Sequence, residues 1–154
     1  MLDCRPNLQR CKDKAMASIE LAKILLDALD DERKAEATYA AVIAKFGPVR
    51  PFSNIIEAEQ RHASALERQL RRLGLTVPPN PWTGKVSAPA TLKEACESAV
   101  EGEIENIALY DRLIPMIDDP SARQVMENLQ AASRERHLPA FKRCLEREQD
   151  RGRV

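Results

Sequence analysis

Residues 52–74, FSNIIEAEQRHASALERQLRRLG, form one amphipathic pattern whose inward-facing stripe changes character half-way along. Pro51 precedes the segment, and Gly74 stands where a C-terminal helix cap belongs. At three- and four-residue spacing the stripe runs through Phe52, Ile55, Glu59, His62, Leu66 and Leu73. The stripe is apolar at both ends and polar in the middle. A helix that buries those ends must also bury or neutralise Glu59 and His62.

Three other segments show the same helical periodicity: residues 13–46, 91–117 and 120–149. The breaks at 47–51 and 118–119 are short, so they predict two antiparallel helical hairpins. The break at 75–90 could extend about 50 Å, at ~3.3 Å per residue, and run the length of a bundle. No segment alternates with a period of two. The sequence therefore predicts a single all-α domain, a four-helix bundle of two antiparallel hairpins joined by a long crossover loop.

All four predicted stripes turn polar at a similar depth. Their polar positions hold four glutamates and both histidines of the chain: Glu32, Glu36, Glu59, Glu103, His62 and His137. Solvated faces would not explain this common depth. Burying several carboxylates together is prohibitive unless protons or cations neutralise them. Two divalent ions carry about +4, and glutamate with neutral histidine suits iron, manganese or zinc. Glu59-x-x-His62 places two ligands on one helical face, one turn apart.

An internal repeat relates the two hairpins. The first helix of each carries the same pattern, offset by 71 residues: Glu32-x6-Tyr39-x3-Ile43 and Glu103-x6-Tyr110-x3-Ile114. The second helices repeat at an offset of 75 residues: His62-x2-Ala65 and His137-x2-Ala140. Two such hairpins predict a pseudo-symmetric site with one half from each. Tyr39 and Tyr110 either pack in the core with a bonded hydroxyl or support the ligands from behind.

The Glu-x6-Tyr of helix one, the EAEQRH of helix two and the GE…Y of helix three resemble rubrerythrin-like di-iron carboxylate proteins of the ferritin-like superfamily. The strings RPFSNIIEAEQRH and NLQAASRERHLPAF resemble an uncharacterised bacterial branch of it. The resemblance spans about residues 25–145 and implies a ferritin-like bundle with two iron ions at mid-bundle. It implies the ligands Glu32, Glu59, His62, Glu103 and His137. It also implies reaction with dioxygen or peroxide, with electrons from an external donor because the chain has no CxxC pair.

The sequence departs from the di-iron pattern at one position. That pattern expects a glutamate three residues before His137, but Arg134 stands there. Glu135 cannot replace it, because two residues along a helix turn the side chain about 200° away. Arg134 could instead pair with a nearby carboxylate and leave a mononuclear or empty site. The chain would then be a metal-poor scaffold or interaction protein.

Glu36 is a second candidate for the helix-one ligand. Reflection about the first turn pairs residue 36 with residue 62, which places Glu36 nearer His62 than Glu32. The resemblance favours Glu32 and this arithmetic favours Glu36, so both remain candidates.

Composition excludes several other functions. Lys+Arg and Asp+Glu each total 24, so no basic stripe for nucleic acid and no polybasic membrane patch is expected. Aromatic residues are 4%, too few for a base-stacking platform. No apolar run approaches the ~20 residues of a membrane span, and the start of the chain lacks a signal-peptide core. We therefore expect a cytoplasmic protein, and the sequence leaves a monomer and a homodimer both open.

The cysteines provide a test of the helix register. Cys96 lies seven residues before Glu103, and Cys144 lies seven residues after His137. In antiparallel helices both then lie about 10 Å from the site in the same direction. A disulfide between them requires alpha carbons within about 7 Å. We expect two packed thiols in a cytoplasmic chain, with Cys4 and Cys11 elsewhere.

Overall fold

Helices account for most of residues 5–153, the part of the chain that the computed structural model describes. Their bounds are α1 Arg5–Phe46, α2 Phe52–Arg72, α3 Leu92–Leu113, α4 Pro120–Ala132 and α5 Leu138–Arg151. A π-helical segment, Ser133–His137, joins α4 to α5 without a break, so the two form one long fourth helix. No strand occurs between residues 5 and 153. The predicted all-α four-helix bundle is confirmed.

Contacts between helices fix their directions. Tyr39 of α1 bonds Glu103 of α3, and farther back along α1 Glu32 bonds Tyr110, so these helices are antiparallel. Helix α1 packs mainly on α2, and α3 packs mainly on α5. Because α1 runs opposite to both α2 and α3, the latter two run parallel. This is the arrangement that the long crossover was expected to allow.

The helix ends carry the residues that their backbone groups need. Gly47 follows α1 with a φ of +86°, and Gly74 follows α2 with a φ of +73°. Thr91 caps α3 through a complete capping box with Glu94, and the Asp119 side chain accepts from the Ala122 amide at the start of α4. These bonds fix where the chain turns between helices.

Two helix limits differ from the prediction. Helix α1 begins at Arg5 rather than at residue 13, and its residues 7–20 are all exposed. Leu8, Met16 and Ile19 are apolar but exposed there, so these turns form a helix without packing on the core. Helix α3 ends at Leu113, and a 3₁₀ turn, Ile114–Met116, follows it, because Pro115 has no amide hydrogen for an α-helical bond. No helix in the described part of the chain combines the length and apolar character of a membrane span.

The crossover loop lies against α1. The Trp82 indole donates a 2.8 Å hydrogen bond to Asp30, and the buried Arg33 donates to the Pro78 carbonyl at 2.9 Å. Arg33 also contacts Glu67 of α2 at 3.1 Å. The loop is therefore tied to the first hairpin between Pro78 and Trp82, and again at Pro89, whose carbonyl accepts from Lys45. Nothing in the sequence pattern had marked Arg33 as buried.

Two apolar layers enclose a polar one. The first is centred on Leu25, Leu29, Leu66, Leu70 and Met126. The second, near the other end of the bundle, is centred on Tyr39, Phe52, Ala99, Phe141 and Cys144. Between them lie buried side chains of Glu32, Glu59, Glu103, Asn106 and His137. The inward face of each helix within the bundle is thus apolar towards its ends and polar at mid-bundle, as its stripe predicted.

Cys96 and Cys144 are joined by a disulfide, with their alpha carbons 5.9 Å apart. Their predicted proximity is confirmed, and with it the antiparallel register of α3 and the fourth helix. The expectation of two packed thiols is wrong, because both side chains enter the same buried layer within bonding range. Cys11 is exposed on α1. Cys4 lies outside the described residues.

Candidate metal centre

Glu59 lies at the centre of the buried polar layer. Its Oε2 is 3.3 Å from His62 Nδ1, and its Oε1 is 3.1 Å from His137 Nδ1. Glu32 Oε2 lies 3.1 Å from His62 Nδ1, and Glu103 Oε1 lies 3.5 Å from His137 Nδ1. Five of the predicted ligands therefore meet at one depth of the bundle.

These five side chains form two overlapping groups that could each hold a metal ion. One group is Glu32, Glu59 and His62, and the other is Glu59, Glu103 and His137. Within each group, one ligand atom from every residue lies within 4.8 Å of the other two. The two imidazole rings stack, with centroids 5.4 Å apart and planes inclined by 17°. Glu59 belongs to both groups, with one oxygen towards each histidine.

The two tyrosines support the outer glutamates across the hairpins. Tyr39 of the first hairpin donates a 2.8 Å hydrogen bond to Glu103 of the second. Tyr110 of the second hairpin donates a 2.6 Å hydrogen bond to Glu32 of the first. The repeat of Glu-x6-Tyr in the sequence thus corresponds to a reciprocal exchange, in which each tyrosine holds the glutamate of the other hairpin.

Asn106 and Asp31 extend this network and were not among the predicted site residues. Asn106 Nδ2 donates to Asp31 Oδ2 at 2.7 Å and lies 3.3 Å from Glu32 Oε1. Asn106 occupies the inward stripe of α3, which was the only signal that could have indicated it. Asp31 precedes Glu32 on a different face of α1, so no stripe contains it.

The two histidines take up protons more readily in the folded protein than in water. Burial alone would lower the pKa of His62, but the Glu32 and Glu59 carboxylates beside it raise that pKa to about 10. Burial likewise opposes protonation of His137, but Glu103 and Glu59 raise its pKa to about 9. Without metal, imidazolium protons therefore balance much of the carboxylate charge at neutral pH.

The pKa values of Glu32 and Glu59 are shifted in opposite directions. Burial, followed by repulsion from Glu59, raises the pKa of Glu32 to about 7. Burial would also raise the pKa of Glu59, but its contacts with His137 and His62 lower the pKa overall. Burial and the adjacent glutamates raise the pKa values of Tyr39 and Tyr110 well above 10, so both hydroxyls stay protonated donors.

His137 Nδ1 is an unsatisfied atom in this centre. It lies close to oxygens of Glu59 and Glu103, yet no acceptor among the described residues meets hydrogen-bond geometry with it. The short distances and the missing hydrogen bond are consistent with each other, because the N–H direction of the ring misses both oxygens and the contact is an electrostatic attraction. A buried ring nitrogen without an aligned partner is available to a ligand.

The π segment determines which residue precedes His137 on the inner face. Its i→i+5 hydrogen bonding, seen from the Leu138 amide to the Ser133 carbonyl, places four residues in slightly less than one turn. The inward residue is consequently Ser133, which is buried, rather than Arg134. Arg134 is exposed and contacts Asp111 at 3.3 Å. The expectation that Arg134 lies beside the ligands is therefore wrong. The carboxylate it contacts is the exposed Asp111, and it neutralises none of the ligands.

Glu36 also lies away from the cluster. It is half-buried on the side of α1 that faces the crossover, beside Asn80. Reflection failed because the chain reverses at Gly47, and the Ser53 amide in the first turn of α2 donates back to the Val49 carbonyl. This asymmetric turn shifts the pairing by about one helical turn and places Glu32 beside His62.

Comparison with known proteins supports the fold. No protein-family model matches the sequence, and no curated protein matches it significantly. The crystal structure of hypothetical protein MJ0754 from Methanococcus jannaschii is similar, with a TM-score of 0.75 and 23% sequence identity. The similarity covers 83% of this chain and 81% of that chain. At this level of identity it supports the helical architecture alone.

Proposed function

We propose that the chain binds two transition-metal ions at mid-bundle, with Glu59 shared between them. Glu32 and His62 would complete one set of ligands, and Glu103 and His137 the other. The observation that carries this proposal is the pair of buried Glu–His groups with a common carboxylate. Three carboxylates and two imidazoles suit iron, which we favour, and also manganese or zinc.

Two further observations support a metal rather than a purely structural network. Glutamates from three helices converge, and among the described residues their salt bridges are to the two histidines, not to lysine or arginine, so the carboxylates depend on protons or cations. His137 Nδ1 is buried without an aligned hydrogen bond, which a coordinating ion would correct. The reciprocal Tyr39 and Tyr110 bonds hold the outer carboxylates in place, as partners of metal ligands commonly do.

We further propose an oxidase- or peroxidase-type role, or one in iron handling. A bound iron pair supplies electron exchange with dioxygen or peroxide, while an external donor would restore the electrons. The chain's own residues hold the ligands in one orientation, and the two apolar layers close the centre off towards the two ends of the bundle. The resemblance to rubrerythrin-like proteins is the basis for this reaction class and for the metal. The cytoplasmic location stays a prediction.

Metal stoichiometry tests the proposal. Protein prepared without chelator and reconstituted with Fe²⁺ should hold about two ions per chain. Glu59→Gln preserves shape but removes the shared charge, so we expect it to lose most of both ions. Glu32→Gln should lose mainly one ion. His62→Ala removes a ligand of the same set outright and should therefore also lose mainly that ion.

Glu127→Gln, an exposed change on α4, is the matched control and should retain wild-type content. Wild-type metal content in both Glu59→Gln and His62→Ala would refute the assignment of the ligands. A folded wild type that takes up no metal would refute the proposed centre itself.

A metal-poor scaffold is the second candidate, and one observation favours it. Ser133 occupies the inner position where a second bridging carboxylate would complete a symmetric site. With two protonated histidines, the remaining carboxylates are largely balanced without metal. This candidate predicts equal unfolding free energies with chelator and with added Fe²⁺. The metal centre predicts a clear stabilisation by the ion.

A further inference from the structure

A cavity of about 200 Å³ opens between α1 and α3 and reaches the candidate metal centre. Glu59 and Glu103 contribute to its inner wall, while Asp31, Glu101 and Glu105 lie towards its mouth. The passage therefore connects solvent with the shared carboxylate.

The cavity is strongly acidic. Lys34 is the single cationic residue among the described side chains that line it. Its ammonium group lies 5.5 Å from the centroid of the Trp82 ring, so it interacts with the crossover loop. The remaining charged residues of the lining are all carboxylates, which favour a cation as the occupant.

Asn106 provides an independent indication of a ligand. Asn106 lines the cavity, and only 6% of the residue is exposed. Asp31 and Glu32 accept from Nδ2, so these two carboxylates fix the orientation of the amide. Oδ1 is left without a hydrogen-bond partner among the described residues. An unpartnered carbonyl oxygen on a residue of an acidic cavity wall is suited to a metal ion or its bound water.

We propose that this cavity is an uptake site for hydrated divalent cations, formed by Asp31, Glu105 and Asn106 Oδ1. The inference rests on the proposed metal centre and adds the route by which that centre is loaded. Asp31, a residue of the uptake site, directly precedes Glu32, a proposed ligand of the metal centre. The Asn106 amide contacts both carboxylates and so links the two sites. A cation held by Asp31, Glu105 and Asn106 therefore lies next to the ligands of the metal centre that it must reach.

Small residues keep the passage open. Ala35, Ala99 and Gly102 line it, and a Cβ added at Gly102 would meet no atom within 4 Å. Gly102 lies in the middle of α3, where glycine weakens a helix. A larger side chain at this position should therefore obstruct the cavity without disturbing the fold.

Obstruction is the first test. With Co²⁺ as the probe, stopped-flow absorbance measures its association rate, and a competition titration measures its Kd. Gly102→Leu should slow association and dissociation about tenfold, equal to about 1.4 kcal/mol of barrier, with Kd unchanged. Ala108→Leu adds the same side chain at an exposed position of α3 outside the cavity, and it should load at the wild-type rate.

Charge removal is the second test. The double variant Asp31→Asn/Glu105→Gln should associate with Co²⁺ about tenfold more slowly at low salt, and its rate should depend less on ionic strength. A control double variant, Glu127→Gln/Glu135→Gln, removes two exposed charges outside the cavity lining and should keep the wild-type rate and salt dependence.

The outcomes separate the two proposals. If the wild type binds Co²⁺ but both cavity variants load at its rate, the uptake site is refuted and the metal centre stands. If Gly102→Leu weakens Kd without slowing association, the cavity is not the route. If the wild type binds no Co²⁺, both proposals fall.

Discussion

The metal-free protein should lose stability as the pH rises from about 6 to about 10. The folded pKa values of His62 and His137, about 10 and about 9, exceed the ordinary value of 6.5. A raised folded pKa means that the folded protein binds protons more tightly than the unfolded chain. The resulting stability is fully present below pH 6.5 and is lost as the pH passes through 9 to 10. The raised pKa of Glu32, about 7, acts in the same direction between about pH 4.5 and 7.

The size of the effect follows from His137 alone. Its pKa rises from 6.5 to about 9, and each pKa unit corresponds to about 1.4 kcal/mol, so the shift is worth roughly 3 kcal/mol. The shift of His62 is larger, but both rings share Glu59, and their contributions do not add. We therefore expect a loss on the order of 3 kcal/mol across this range. For a chain of this length, that corresponds to a Tm decrease of roughly 6–12 °C.

Urea denaturation followed by circular dichroism, in chelator at several pH values, measures this free energy directly. The double variant His62→Gln/His137→Gln is the control, because it keeps polar side chains but cannot titrate in this range. The change of its unfolding free energy with pH reports every other titrating group. The difference between this pH dependence and that of the wild type isolates the contribution of the two histidines. Equal slopes for the wild type and the double variant would show that the imidazoles do not bind these protons.

Three further predictions concern the surroundings of the centre. Tyr39→Phe and Tyr110→Phe each remove a hydrogen bond to a buried glutamate, so each should lower the unfolding free energy by about 1.5–3 kcal/mol in urea denaturation. The Cys96–Cys144 bridge spans 48 residues, so its reduction should cost up to about 4 kcal/mol, and thiol titration should find two more thiols after reduction. Arg134→Ala should leave metal content unchanged in elemental analysis, because this exposed side chain contacts Asp111 instead of the ligands.

Sequence reasoning predicted the fold well because its main determinants are local. Gly47, Thr91 and Asp119 carry the conformations or hydrogen bonds that end and begin helices, and such signals do not depend on distant residues. The lengths of the connections then limit which helices can be neighbours. The polar layer was visible for a similar reason, since Glu59 and His62 interrupt an apolar stripe at a definite depth.

The errors arose where the geometry departs from a regular helix or a symmetric turn. A stripe drawn at α-helical spacing assumes a constant turn, so it could not show that the π segment turns Arg134 outward and Ser133 inward. Reflection about the middle of the first turn favoured Glu36, but the chain reverses at Gly47. Asn106 lay on the predicted stripe, yet its role depends on Asp31, which the stripe does not include.

The exchange of contacts between the hairpins connects folding with the proposed site. Tyr39 and Tyr110 each hold the glutamate of the opposite hairpin, and Glu59 of the first hairpin contacts His137 of the second. The first hairpin alone supplies Glu32, Glu59 and His62, but Tyr110 of the second hairpin holds Glu32. The second hairpin supplies Glu103 and His137 and needs Glu59 of the first to complete its group. The contacts that dock the hairpins are the same contacts that assemble the centre, so an ion that binds only the assembled form must stabilise the docking itself. The break in the symmetry, at Ser133, leaves Glu59 as the one carboxylate common to both halves, which is why its loss should affect both ions together.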